Sequence, residues 1–65
     1  MKLIDCITRK EIEISADSVI EVHNRGPYRE VKTGVTIDDV VVTSVYKVTE
    51  QVPVIIDKIR KEKTS

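Results

Sequence analysis

Between Glu11 and Ile37 branched aliphatic residues recur two apart within short runs, at Ile12 and Ile14, Ile20 and Val22, and Val35 and Ile37, and from Val52 they recur at i, i+3, i+4 and i+7. These spacings belong to different elements, because a strand repeats its facing every two residues and a helix every 3.6. The apolar supply agrees: Val and Ile dominate, Phe and Trp are missing, and two Tyr are the only aromatics. Branched side chains fit a pleated surface better than a helix. The pattern therefore predicts an α+β fold: a small antiparallel β-meander of four to five strands, with one C-terminal helix packed on one face. Residues 1–65 form a single domain. A chain of this length buries only about 60% of the surface its unfolded form exposes, so a partner surface would add to a marginal stability.

Strands are expected over residues 2–8, 11–15, 19–24, 29–37 and 40–46, and a helix over 50–62. In the first hairpin Ile12 and Ile14 share one face and Glu11 and Glu13 the other, with Thr8-Arg9-Lys10 as its turn. Ser15 to Ser18 have the small polar residues of a turn. The third strand then places Ile20 and Val22 inward, with Val19, Glu21 and His23 outward. In the fourth, Val31, Thr33, Val35 and Ile37 share one phase. Asp38-Asp39 makes a tight turn, and the fifth strand, "VVVTSVY", has no clean polar face. The helix stripe is Val52, Ile55, Ile56 and Ile59, with Thr49 as N-cap and Pro53 in the first turn, where its missing amide is harmless. The basic run "KIRKEK" matches the negative pole of the helix dipole.

Two registers of the third and fourth strands keep the inward residues together. Pairing Val22 with Arg29 sets Glu21 opposite Glu30. Pairing Val22 with Val31 sets Glu21 beside Lys32 and His23 beside Glu30, which are favourable neighbours, and is the register expected. It leaves a loop of Arg25-Gly26-Pro27-Tyr28.

That loop, in the stretch "HNRGPYR", is the candidate ligand site: Arg25 and Arg29 guanidiniums, the Gly26 amide, Tyr28 and the nearby His23. A polar hairpin loop is the simpler reading, since one glycine and no following helix do not make a phosphate cradle. Symmetric assembly would bring several copies of the loop together. On this reading, replacing Arg25 and Arg29 removes ligand binding and leaves stability unchanged. A single helix covers one face of a sheet only, so Val41 and Val45, with Val19 nearby, form an outward apolar set and the expected oligomer interface.

Eleven basic and eleven acidic residues cancel, which argues against generic nucleic-acid binding, and two tyrosines are too few to stack bases. No apolar run is long enough to span a bilayer, and the start lacks the form of a signal peptide. Cys6 is the only cysteine and is expected as a small core side chain in the first strand. One Cys and one His cannot complete a zinc shell, so no metal and no cofactor is expected. A cytoplasmic location is expected, in a bacterium or an infected host cell. No residue set suggests catalysis. The expected function is a non-enzymatic binding module, homo-oligomeric, holding a partner protein or a small anionic ligand.

The start "MKLIDCITRKEIEISADSVIEV" and the end "VTEQVPVIIDKIRK" resemble the small flagellar-operon and motility proteins of the FlbD or SwrD type, which have phage-encoded relatives. The resemblance implies a short meander with a terminal helix and carries no catalytic residue. It suggests two roles: a phage-encoded inhibitor or ligand sponge against host defence, or a motility accessory acting through protein contacts at the inner membrane.

Overall fold

The computed structural model describes residues 1–64. Five strands form two antiparallel sheets with one C-terminal helix, an α+β fold. Strands β1 (Lys2–Ile4) and β2 (Glu11–Glu13) form the small sheet. Strands β3 (Val19–Asn24), β4 (Arg29–Ile37) and β5 (Val40–Val48) form the larger one, in that order, and helix α1 (Val52–Thr64) follows. A single bridge, Asp5 to Val48, joins the two sheets through β1 and the end of β5.

The first strand is shorter than its apolar residues suggest. The Asp5 carboxylate accepts the Ile7 and Thr8 amides at 2.8 and 3.0 Å, which turns the chain, and Arg9 closes the turn at φ 62°. The strand thus ends at Ile4 instead of residue 8. Cys6 falls in that turn, half-buried, and is not the core side chain expected of it.

The core consists of Met1, Leu3, Ile14, Val31, Val48 and Ile55, drawn from both sheets and the helix. Ile12, Val19, Val22, Tyr46 and Ile59 pack around it. Helix α1 therefore closes the fold as its spacing predicts, with Ile55 fully buried. It begins later than expected. The Gln51 carbonyl accepts the Val54 and Ile55 amides, so Gln51, not Thr49, occupies the cap position, and Pro53 lies in the first turn. The Thr49 amide is instead bound to the Ile4 carbonyl, as part of the β1–β5 seam.

The β3–β4 register is the one selected by charge: Glu21 opposite Lys32, Val22 opposite Val31 and His23 opposite Glu30. One facing within β3 is reversed. A bulge between Val19 and Glu21 gives Val19 the inward position and turns Ile20 outward, 54% exposed. Gly34 makes room for it, since a Cβ there would collide with the end of the Ile20 side chain. Alternation alone does not register an inserted residue, so Val19 drops out of the outward set and Ile20 replaces it.

Strands β4 and β5 pair without a break from Arg29–Val48 to Ile37–Val40. Asp38 and Asp39, at φ 48° and 64°, form the two-residue turn whose backbone twist suits a hairpin.

Candidate functional site

The candidate loop spans residues 25–28, as the register requires. The Arg25 amide donates to the Tyr28 carbonyl at 2.9 Å, and the Gly26 amide donates to the Asn24 side chain at 2.9 Å. Gly26 adopts φ 93°, which favours a residue without Cβ. The amide counted among possible anion donors is thus already engaged.

Arg29 plays a different part from the one its loop position suggested. It is 7% exposed, and each guanidinium nitrogen donates to a carbonyl: Nε to Glu50 at 2.9 Å, one terminal nitrogen to Gly26 at 3.1 Å, and the other to Thr49. It fastens the loop to the connection between β5 and α1. The Glu50 carboxylate extends this polar seam by accepting the Ile4 amide at 2.9 and 3.1 Å. The Lys58 ammonium donates to the Lys2 carbonyl at 2.7 Å. Replacing Arg29 therefore removes structural hydrogen bonds, contrary to the expectation of an unchanged stability. The signal was available: Arg29 is in phase with Val31 and Thr33, the inward set of the same strand.

The remaining loop groups are also paired. Arg25 Nε lies 3.3 Å from Glu30, and the Lys47 ammonium sits 5.1 Å from the Tyr28 ring centroid. His23 Nε2 is 3.0 Å from Glu21, whose carboxyl is held below its ordinary range by that hydrogen bond first and by Lys32 second. An anion at this loop would compete with Glu30 for Arg25 and would find Arg29 occupied.

A larger feature lies at the other end of the sheet. The core reaches only to Val31 and Val48, and beyond it β4 and β5 continue as an arm. On the core-facing side of the arm, Val35 and Ile37 of β4 meet Val42 and Val40 of β5. On the opposite side lie Val41 and Val45, with Ile20 reaching across Gly34. The six arm residues are 48–63% exposed. Val35 and Ile37 thus have the inward phase expected of them but lie beyond the buried cluster that holds Val31 and Ile55, and both are exposed. Between the arm and the first hairpin is a cleft of about 340 Å³, lined by Ile14, Thr33, Val35, Ile37, Val42 and Tyr46 among others.

Among the described residues no three His, Cys, Asp or Glu side chains gather as a metal site. No helix among them is long and apolar enough to cross a membrane. Comparison with family models, curated proteins and solved structures gives no match.

Proposed function

We propose that this protein is a non-enzymatic interaction module that works as a homo-oligomer, with the β4–β5 arm as its contact surface. The supporting observation is the arm itself: six large aliphatic side chains, distributed over both faces, stand in water at about half their full exposure or more. An apolar patch of this extent marks a contact surface, and a small domain with a short core gains most from covering it. The loop chemistry favours protein contact over a captured anion, since Arg29 is bound to three carbonyls and Arg25 faces Glu30. Holding a partner protein serves a phage-encoded inhibitor and a motility accessory alike, because both act by contact.

Light scattering after size exclusion tests this reading. The wild type should elute as an assembly, and Val41→Glu with Val45→Glu should reduce it to the 7.4 kDa chain. Ile7→Glu, at a still more exposed residue outside the arm, should leave the assembly intact. A wild type that is monomeric at every concentration removes the proposal.

A further inference from the structure

Of the four outer strand edges among the described residues, that of β1 is taken by Thr49, Glu50 and Lys58, and the other three are not alike. The outer edge of β2 is three residues long and carries Glu11 and Glu13. The outer edge of β3 is broken by the bulge at Ile20 and carries Glu21 and His23. Short length, charge and bulges are the devices that keep a strand edge from pairing with another chain. The β5 edge has none of them: Val40–Tyr46 reads VVVTSVY, without charge, proline or bulge. Only its last residues are covered, where the Cys6 amide donates to the Lys47 carbonyl at 3.0 Å and the Thr49 amide donates to Ile4.

The ladder fixes which backbone groups face this edge. Ile37 and Val40 close a two-residue hairpin and form a hydrogen-bonded pair, so Val40, Val42, Ser44 and Tyr46 bond to β4. Val41, Thr43, Val45 and Lys47 then point their N–H and C=O groups outward, and the bond from Cys6 to the Lys47 carbonyl has the same phase. Among the described residues nothing accepts or donates at Val41, Thr43 and Val45.

We infer that β5 pairs antiparallel with β5 of a second copy of this chain, about a two-fold axis through Thr43. This rests on the proposed self-association and specifies it. Thr43 is the middle of the uncovered run. In this register Val41 of each copy meets Val45 of the other, both outward valines find apolar neighbours, and the free groups of Val41, Thr43 and Val45 complete one another's hydrogen bonds. The acidic Asp38–Asp39 turn of each copy comes up to Lys47 of the other, so the ends are complementary in charge. Centring the axis on Ser44 would run the partner's strand itself, through Val41 and Val40, onto Lys47 and Val48, the stretch that Cys6 and Ile4 already cover, whereas about Thr43 that strand ends at Tyr46. Centring it on Val42 would set Val41 against Thr43 and Val45 against Asp39, so the outward valines would lose each other. A like-with-like contact about a two-fold closes on itself, which turns an edge prone to open-ended pairing into a dimer.

Cross-linking and charge exchange at position 43 test the register. In a Cys6→Ser background, Thr43→Cys should form a disulfide-linked dimer on mild oxidation. Facing residues of a hydrogen-bonded pair have Cα atoms about 5.5 Å apart, within the span of about 4.4–6.8 Å that a disulfide bridges. Val42→Cys, which would face Ser44, should not. Thr43→Glu and Thr43→Lys should each weaken the dimer by about two- to fivefold, since like charges then meet across the axis, and a mixture of the two should recover it. Circular dichroism confirms that both variants fold. A wild-type dimer that neither links at position 43 nor responds to the charge pair overturns the register while self-association stands. A monomeric wild type overturns both.

Discussion

Arg29→Met separates a structural clamp from a ligand-binding arginine. The substitution keeps most of the apolar stem and removes the donors to the Thr49, Glu50 and Gly26 carbonyls. A hydrogen bond from a charged group contributes about 1.5–3 kcal/mol net. The Gly26 carbonyl belongs to an exposed loop residue, where water can replace the lost donor. The two at the β5–α1 connection are the ones that count, and at about 1.5–3 kcal/mol each they give a loss of about 3–6 kcal/mol. A chain of this size holds roughly 3–10 kcal/mol in all, so the variant should melt at least roughly 12 °C lower. Thermal unfolding followed by circular dichroism measures this. Arg29→Lys should recover only part, because a single ammonium cannot reproduce the planar fork. Arg25→Ala, whose partner Glu30 it meets at the surface, should change stability by less than about 1 kcal/mol. An Arg29→Met protein that melts within about 3 °C of wild type would refute the clamp.

Ile55→Ala should lower stability by about 2–5 kcal/mol, the range for emptying a fully buried aliphatic site, as measured by urea unfolding. Asp39→Gly relieves a left-handed residue of its Cβ and should raise stability by about 1 kcal/mol, read in the same assay. The Asp5 carboxyl is held below its ordinary value of 3.8, first by the Thr8 amide and then by the Ile7 amide. A depressed folded value means that the contribution is complete above the ordinary carboxylate range and is lost as pH falls through the folded value. Carbon-detected NMR should therefore show Asp5 titrating below 3.8, and Asp5→Asn should make the acid limb of unfolding less steep.

Much of the fold is legible because it follows from local period. The strand alternation, the helix stripe through Ile55 and the Val22–Val31 register all rest on neighbours that sequence spacing defines. What escapes is decided by one added residue or by distant partners. The bulge at Ile20 exchanges the roles of Val19 and Ile20, and the room for it comes from Gly34 on the adjacent strand. Asp5 ends β1 through a side-chain turn that an apolar pattern does not encode. At the candidate site the loop limits follow from the register and the backbone freedom of Gly26 from its place in the turn, whereas the Gly26 amide is taken by Asn24 and the strand phase of Arg29 points to the interior. Val41 and Val45 lie outward as their phase requires. The extent of the arm shows in the exposure of Val35, Ile37, Val40 and Val42, which the phase of a strand does not state.

Amide hydrogen exchange along β5, resolved by residue, tests the pairing most directly. In an isolated chain the alternate amides of Val41, Thr43 and Val45 face water, while those of Val42 and Ser44 bond to β4, so each group serves as the other's internal reference. Edge pairing predicts that Val41, Thr43 and Val45 are protected, and that their protection rises with protein concentration. Rapid exchange at those three amides at high concentration, beside slow exchange at Val42 and Ser44, would contradict it.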